Sequence, residues 1–419
     1  MAPVRLSGKE TDMILRNGNV FLNDRAFCPA DLEFGDTITN IEVRTQTPGM
    51  VRQKGVREID AAGKYVIPGL VDIHTHGAVG MDASDGTSEG LEKMSRFYAS
   101  RGITSWCPTT MTLSEQELMK AMEAVREFAD RQGAMEELHA DCLGVHLEGP
   151  FLSSAKKGAQ AAEHLQKPDF EMLLRLNEAS GGRVRMITVA PEEDKEFAFI
   201  RRASKLCTVS LGHSGADYET AAGAFEAGAG HVTHMYNGMN GIHHRKPGII
   251  GAAFDAGVTV ELICDGLHIH PSVIRMTEAM FRNRITLISD SMRSAGMADG
   301  EYSLGGQPVF VKNGKATLED GTLAGSSITL MDALRNAVHF GIPLEQAIRY
   351  ASSLPAETIG AGGYLGKISE GYRADLLVLD QELNLEIVIA EGNVYYCSGR
   401  HQTFTYDASE HEQGFAKLL

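Results

Sequence analysis

Short apolar runs alternate along most of this chain with stretches in which apolar residues recur every three to four positions. The stretch 114–133 is the clearest of the second kind, because Ser114 and Glu117 form a capping-box pattern at its start. Leu118 and Val125 then recur on one helical face. Helical stretches separate nearly all of eight apolar runs that are typical of buried strands: 66–73, 103–107, 142–147, 184–189, 207–211, 231–235, 258–263 and 285–289. Eight strand-helix units in about 290 residues predict an α/β fold of the (β/α)8 TIM-barrel type, whose active site lies at the carboxyl ends of the strands.

The two ends of the chain have a different pattern, with short alternating apolar runs separated by Gly, Asn and Asp turns. We predict that residues 1–65 and 363–419 are the two parts of one small β-sandwich domain, and that residues 66–362 form the barrel. Hairpin turn residues at Gly305 and Asn313 mark an insertion between 296 and 325, which we expect over the barrel mouth.

Polar residues gather where the predicted barrel strands end. His74 and His76 follow the first strand, and side chains two positions apart on an extended backbone point the same way. This H-x-H pair is either a metal site, of a kind that suits zinc, iron, nickel or copper better than magnesium or calcium, or two ordinary loop histidines. The ends of five later strands add further candidates: His146, Glu148, His213, His234, Asp265, His268 and Asp290. Twelve of the 15 histidines lie between His74 and His270, which favours a metal centre.

Composition narrows the classes of partner. The chain of 419 residues is 43% hydrophobic and has a formal net charge of -16, which argues against nucleic acid or an anionic membrane as a partner. An anionic small substrate stays possible, because at close range a few hydrogen-bond donors that converge on it outweigh the repulsion from the net negative charge of the protein. The six cysteines are widely spread without a C-x-x-C pair, and no apolar leader or membrane span is visible, so we expect a cytoplasmic protein.

Several motifs together resemble a known family. They are PGLVDIHTHG (68–77), HLEGPF (146–151), GHS (212–214), THMYNGM (233–239), HHRKPG (243–248), DGLHIHP (265–271), ISDSM (288–292), GTLAGS (321–326) and the closing GKISEGYRADLLVLD. In this order they resemble the amidohydrolase superfamily and, more narrowly, the N-acetylglucosamine-6-phosphate deacetylase family. The resemblance implies metal-dependent hydrolysis of the acetamide of N-acetyl-D-glucosamine 6-phosphate, in amino-sugar catabolism.

The resemblance also implies a ligand set for one or two divalent metals per subunit, with zinc or iron expected. One metal falls on Glu148, His213 and His234, and a second lies between His74, His76, Glu148 and Asp290. Some relatives bridge their metals with a carboxylated lysine on strand four, but the run 184–189 contains no lysine. Glu148 is then the available bridging carboxylate.

Catalytic and substrate-binding roles are implied in the same way. Asp290 would accept a proton from water and return it to the departing amine, while His268 would polarise the carbonyl. The phosphate would be held by the backbone at Asn237 and Gly238 and by Arg245, which the partner subunit of a homodimer would supply. The remaining substrate-binding positions are Ala159, Gln160, Asp265, His268, Leu323, Ala324 and Gly325.

Two positions depart from the family pattern. Many relatives have histidine where this chain has Gln160 and alanine where it has Gly238. Gln160 still donates a hydrogen bond but cannot titrate, and Gly238 is expected to keep its backbone N–H and to change only flexibility.

Other functions stay open at this point. One is deacetylation of N-acetylgalactosamine 6-phosphate, another is hydrolysis of a cyclic amide or dipeptide, and a third is a non-catalytic scaffold on a degenerate barrel. The arginine at 245 argues against a neutral cyclic amide, and the complete ligand set argues against a degenerate barrel.

Overall fold

The computed structural model describes residues 5–6, 13–44 and 57–397 of the chain. Within these residues the strands are, in chain order, β1 (Arg5–Leu6), β2 (Met13–Leu22), β3 (Ala26–Phe34), β4 (Ile38–Val43), β5 (Arg57–Asp60), β6 (Tyr65–Pro68), β7 (Leu70–Thr75), β8 (Gly77–Ala78), β9 (Met81–Asp82), β10 (Ile103–Thr110), β11 (Asp141–Cys142), β12 (Val145–Glu148), β13 (Val184–Val189), β14 (Thr208–Leu211), β15 (His231–Val232), β16 (Thr259–Ile263), β17 (Ile285–Ile288), β18 (Gly300–Leu304), β19 (Gln307–Lys312), β20 (Lys315–Thr317), β21 (Leu376–Leu379), β22 (Leu385–Ala390) and β23 (Asn393–Tyr396). The α-helices are α1 (Ser88–Ser100), α2 (Glu115–Arg131), α3 (Phe170–Ala179), α4 (Ala198–Ala203), α5 (Tyr218–Glu226), α6 (Gly248–Ala256), α7 (Pro271–Phe281), α8 (Leu330–His339), α9 (Leu344–Ala351) and α10 (Ser353–Thr358).

Eight parallel strands form the centre of the fold, in the order β7, β10, β12, β13, β14, β15, β16 and β17, with β11 as a short addition beside β10. The N–H of Asp290, just after β17, donates to the carbonyl of His74 on β7 at 3.0 Å, which brings the last strand back beside the first. The predicted (β/α)8 barrel is therefore confirmed. Its helices cover the outside, as α2 shows by burying Leu118, Met122 and Phe128 behind the predicted capping box.

A second sheet joins the two ends of the chain. Eight of its nine strands lie on one hydrogen-bonded path, β1-β23-β22-β21-β6-β2-β3-β4, and the ninth, β5, pairs with β2 beside it. Their inward side chains form a separate apolar core, in which Leu15 and Phe34 near the start of the chain join Leu376 and Ile389 near its end. The small β unit built from both ends is thus confirmed. The boundaries 1–65, 66–362 and 363–419 stay a prediction, and residues 1–4, 7–12, 45–56 and 398–419 lie outside the described part of the chain.

The first predicted strand, 66–73, is divided between the two sheets. β6 pairs with β2 and β21 in the small sheet, whereas β7 pairs with β10 in the barrel. Gly69 stands at the break, and a Cβ there would lie 2.2 Å from Thr104 Oγ1. Only glycine allows the backbone to pass this close to β10, so the switch between sheets is fixed by one residue.

The expected insertion is also confirmed. β18, β19 and β20 form a three-stranded antiparallel sheet whose turns lie at Gly305 and Asn313. Leu304 and Val309 of this sheet pack with Met111 and Ala159 at the barrel mouth. Of the described helices, none is long and apolar enough to cross a membrane.

Candidate active site

Glu148, at the end of β12, lies at the centre of a group of histidines from three other strand ends. Its Oε1 is 2.8 Å from His234 Nε2, 3.2 Å from His213 Nε2 and 3.5 Å from His74 Nε2. Its Oε2 is 3.2 Å from His76 Nε2. The two predicted ligand groups therefore meet on the two oxygens of one carboxylate.

Asp290 completes the second predicted group of metal ligands. Its Oδ1 lies 3.2 Å from His76 Nε2 and 3.7 Å from His74 Nε2. All six side chains at this centre are nearly or fully buried. The predicted second group, His74, His76, Glu148 and Asp290, is thus brought together.

Hydrogen bonds at Nδ1 of two histidines determine that Nε2 carries no hydrogen when the ring is neutral. Nδ1 of His213 is 2.9 Å from the carbonyl oxygen of Lys156, and Nδ1 of His76 is 3.2 Å from that of Thr109. A carbonyl oxygen only accepts, so each Nδ1 carries a hydrogen and donates it. In the neutral imidazole each Nε2 then turns a lone pair toward Glu148.

This arrangement fits a divalent metal. Nitrogen and carboxylate lone pairs that face each other at about 3 Å repel unless a proton or a metal cation lies between them. A tetrahedral ion with bonds of roughly 2.0–2.1 Å places its ligand atoms a little over 3 Å apart, as found here. The unpartnered Nε2 of His74 points into the same space. Donor atoms close enough to share an ion come from His74, His76 and Glu148 in one group and from Glu148, His213 and His234 in another.

The pKa values of two residues at the centre also indicate that positive charge is favoured there. Burial opposes ionisation of Glu148, but the neighbouring His74 and His213 outweigh it and hold the pKa of Glu148 well below its usual range. Burial alone would lower the pKa of His76, yet Asp290 and Glu148 raise it to about 10. His146 differs, because burial and the neighbouring His74 lower its pKa to about 3.

The backbone at three strand ends has an unusual conformation that directs the side chains toward the centre. His213, His234 and Asp290 have φ values of 47°, 26° and 47°, a region that residues with a Cβ rarely adopt. Such conformations typically cost about 1–3 kcal/mol each and cluster at functional sites. The positive φ at His234 also ends β15 at Val232, earlier than the predicted 231–235 strand.

His268 and Asp265 form a hydrogen-bonded pair beside the centre. Asp265 Oδ2 is 2.6 Å from His268 Nδ1, and its Oδ1 accepts the backbone N–H groups of Leu267 and His268. Burial lowers and Asp265 raises the pKa of His268, with a net increase. Both oxygens of Asp265 are therefore engaged in holding His268, whose ring lines the cavity.

A cavity of about 220 Å³ opens above the centre. Six of the predicted substrate-binding residues line it besides His268: Ala159, Gln160, Asn237, Gly238, Leu323 and Gly325. Ala324 is instead buried in the apolar cluster beneath the insertion, and Asp265 lies behind His268. Arg245 lies outside the set of described residues that line the cavity and is exposed, next to His244.

Two substrate positions differ from expectation. Gly238 has φ 60°, and a Cβ there would lie 2.9 Å from His213 Nδ1. The expectation that glycine changes only flexibility is wrong, because alanine would displace either His213 or its loop. Both polar atoms of the Gln160 amide are hydrogen-bonded within the protein. Its oxygen accepts from Thr112 N at 2.7 Å, and its nitrogen donates to Glu148 Oε2 at 2.8 Å.

The sequence patterns missed two carboxylates that support the site. Glu261 on β16 is fully buried and lies 2.8 Å from His74 Nδ1. The available signal was a lone carboxylate within the otherwise apolar strand TVELI. Glu192 accepts hydrogen bonds from Ser214 Oγ and Gly215 N, and so fixes the loop that follows His213. Its sequence context is that of an ordinary surface charge.

Comparisons with known proteins agree with this geometry. Residues 65–407 match the amidohydrolase family. The chain is 35% identical to the N-acetylglucosamine-6-phosphate deacetylase of Bacillus subtilis (strain 168), over 92% of this chain and 94% of that protein. It is also 35% identical to the N-acetylgalactosamine-6-phosphate deacetylase of Escherichia coli O157:H7, over 81% and 89%. A mutant N-acetyl-D-glucosamine-6-phosphate deacetylase from Mycobacterium smegmatis, solved in complex with N-acetyl-D-glucosamine-6-phosphate, superposes with a TM-score of 0.83 at 30% identity, covering 91% of this chain and 98% of that one. The chain belongs to the amidohydrolase family.

Proposed function

We propose that this protein hydrolyses the acetamide of N-acetyl-D-glucosamine 6-phosphate to glucosamine 6-phosphate and acetate, in amino-sugar catabolism. The observation that carries the proposal is the convergence of Glu148, four histidines and Asp290 at the floor of one cavity. The relatives described above, two of them named for this substrate, support the same activity.

Glu148, His213 and His234 would hold one divalent metal, and His74, His76, Glu148 and Asp290 a second. When bound, a divalent metal in such a centre polarises the amide carbonyl and lowers the pKa of a water molecule towards ~7. Imidazole and carboxylate donors favour zinc or iron over magnesium or calcium.

Asp290 acts as the general base and acid. Although burial disfavours its charge, His76 and His74 lower the pKa of Asp290, so its carboxylate is ionised and ready to accept a proton from the attacking water. It then returns that proton to the departing amine nitrogen. His268, oriented by Asp265 and favoured in its protonated form, donates from Nε2 to the carbonyl oxygen as negative charge develops there.

The cavity suits one sugar ring. Its volume of about 220 Å³ is below the roughly 300 Å³ at which pockets for drug-sized ligands begin. The sugar would meet Ala159 and Leu323, and the phosphate would meet the backbone at Asn237 and Gly238; all four residues line the cavity.

A coupled measurement tests the proposal. Amine release would be followed with N-acetylglucosamine 6-phosphate, its galacto epimer, a cyclic amide and a dipeptide, on protein of known metal content. We expect the gluco substrate to have the highest kcat/KM. Faster turnover of the galacto epimer would reassign the sugar, and faster turnover of the cyclic amide or dipeptide would overturn the proposal.

We further propose a homodimer in which Arg245 reaches the phosphate in the partner's cavity. Arg245 is exposed and lies away from the residues that line the cavity of its own chain, which is what a donor in trans requires. The net charge of -16 repels a sugar phosphate at long range, so binding depends on local donors, and arginine can bond phosphate through two parallel N–H groups.

Mixing two inactive variants distinguishes donation in trans from donation in cis. Arg245→Ala and Asp290→Asn chains, co-expressed, form mixed dimers in which one site has Asp290 from one chain and Arg245 from the other. We expect recovery of about a quarter of wild-type activity, the share that random pairing in a two-fold dimer gives. If the mixture stays inactive, Arg245 acts in its own chain. If Arg245→Ala alone keeps its KM, the phosphate site lies elsewhere, with Lys156 and Lys157 the next candidates.

A cytoplasmic location is the last part of the proposal. All six cysteines are unpaired in the structure, as expected for a reducing compartment. Fractionation of the source cells, with activity followed alongside a cytoplasmic marker enzyme, tests it.

A further inference from the structure

We propose that Glu261 is a positioning residue for the second metal: its buried carboxylate selects the His74 tautomer that turns Nε2 into the centre. This inference rests on the metal-dependent function proposed above. Glu261 itself lies beneath the metal ligands, on the inner face of β16, and does not line the substrate cavity among the described residues.

One carboxylate contacts three groups from two other strands. Oε2 of Glu261 lies 2.8 Å from His74 Nδ1 and accepts the backbone N–H of His234 at 2.9 Å. Oε1 lies 3.3 Å from His231 Nε2. Glu261, His74 and His231 are fully buried, so these contacts are not exchanged with solvent. The carboxylate thus links the H-x-H strand to the turn that carries His234.

The tautomer follows from donor and acceptor chemistry. An ionised carboxylate only accepts, so His74 Nδ1 carries the hydrogen that lies between it and Glu261. The neutral ring then has its lone pair on Nε2, which is 3.5 Å from Glu148 Oε1 and 3.7 Å from Asp290 Oδ1. A carboxylate behind a metal-bound histidine also raises the basicity of the ligand, and loss of such a partner typically weakens metal binding 10–100-fold.

A different reading makes Glu261 a ligand. Donor atoms of His74, His146 and Glu261 lie close enough together to hold an ion of their own. His146 could offer its Nδ1, which has no hydrogen-bond partner among the described residues, because only its Nε2 is paired, with Thr188 Oγ1 at 2.8 Å. His74, however, would have to give up the Nδ1 hydrogen that it shares with Glu261 in order to bind an ion there. The geometry therefore favours Glu261 as a support for His74 rather than as a third metal site.

Glu261→Met is the decisive substitution. His74 Nδ1 and the His234 N–H both donate to the same oxygen, Oε2, and methionine, of similar length and volume, removes it, so that His74 no longer has an acceptor that holds its hydrogen on Nδ1. Glu261→Gln is the conservative variant, because an amide oxygen in the place of Oε2 still accepts from both groups. His231→Asn is the matched control, since it removes the contact to the other oxygen of the same carboxylate. Metal content and affinity are measured with zinc alone, by elemental analysis and chelator competition, and the His74 tautomer by nitrogen-proton NMR of histidine-labelled protein.

We expect Glu261→Met to bind the second zinc about 10–100-fold more weakly, to affect the first zinc less, and to show hydrogen on His74 Nε2. Glu261→Gln should keep the Nδ1 hydrogen of the wild type, and His231→Asn should bind both ions as the wild type does. Equal affinities in Glu261→Met and wild type, an unchanged tautomer in Glu261→Met, a single zinc in the wild type, or a third zinc lost with Glu261 would each overturn the proposal. A purely structural role would lower thermal stability in Glu261→Met and His231→Asn without changing zinc binding. Because no substrate is used, failure of the proposed deacetylase activity would leave these results intact and be recognised separately.

Discussion

Replacing Gln160 by methionine tests how the metal centre is held in place. The side chain is 2% exposed, and its amide is bonded to Thr112 N on one side and to Glu148 Oε2 on the other. Methionine has nearly the same length and volume but no amide. The substitution therefore removes two hydrogen bonds and little packing.

The expected loss of stability follows from the polar groups that the substitution leaves without a hydrogen-bond partner. The buried N–H of Thr112 loses its acceptor, at a cost of about 1–3 kcal/mol, and a hydrogen bond to the charged Glu148 is worth about 1.5–3 kcal/mol. Because such values are not additive, we expect the free energy of unfolding to fall by about 2–5 kcal/mol. Glu148 also loses the hydrogen bond that orients its Oε2 from outside the ligand group, so both metals should bind roughly 10–100-fold more weakly.

Urea unfolding of metal-loaded protein and chelator competition measure the two effects. Gln307→Met is the matched control, because among the described residues the side chain of Gln307 donates only to the carbonyl of Ala159, a residue that lines the same cavity. We expect the control to leave metal affinity unchanged. If Gln160→Met raises only the KM for the sugar while stability and metal affinity stay at wild-type values, Gln160 acts on the substrate and the reasoning above is refuted.

Three further predictions follow from the structure. Asp290→Asn should lower kcat by 10²–10⁴-fold while most metal stays bound, and steady-state kinetics that retain more than about a hundredth of wild-type activity would argue against its acid-base role. Elemental analysis after saturation should give about two divalent ions per chain, whereas one ion would leave the H-x-H histidines an orienting role only. Arg373→Met should lower the free energy of unfolding by about 3–5 kcal/mol in urea, because it leaves the buried Asp375 without its partner, 2.6 Å away. Arg175→Met, at an exposed ion pair, should cost no more than about 1 kcal/mol, and equal losses would contradict the assignment.

Local patterns predicted the barrel and placed candidate ligands at its strand ends, and the family resemblance selected the ligand set among them. Alternation of apolar runs with amphipathic helices needs only neighbouring residues, and parallel strands bring residues at their carboxyl ends together whatever the detailed register. His74, Glu148 and Asp290 could therefore be placed at one centre without coordinates. The ends of the strands were less predictable, since the positive φ of His234 accompanies a hydrogen bond from its N–H to Glu261 on another strand, which local propensity does not show.

Contacts between distant segments account for what the patterns missed. A glutamate within an apolar strand does not show which side chain it will meet, so the contact of Glu261 with His74 was not visible. The same holds for Gly238, whose proximity to His213 depends on how two loops pack. Gln160 could be placed near the sugar by resemblance, but its two hydrogen bonds could not be predicted because one partner comes from the loop after β10.

The pairing of β6 with β21 has a consequence for synthesis of the chain. Ile67 on β6 pairs with Leu377 on β21, more than 300 residues later, so during translation the strand leading into β7 has no partner on that side until almost the whole chain has been made. Contacts this distant in sequence form slowly, and an unpaired apolar edge promotes aggregation in the interval. β7, which carries His74, begins two residues after β6. In a nascent chain that lacks β21, the strand β6 that leads into β7 is therefore not yet fully paired. We therefore expect the second metal to bind late, after the C-terminal strands have been added to the sheet.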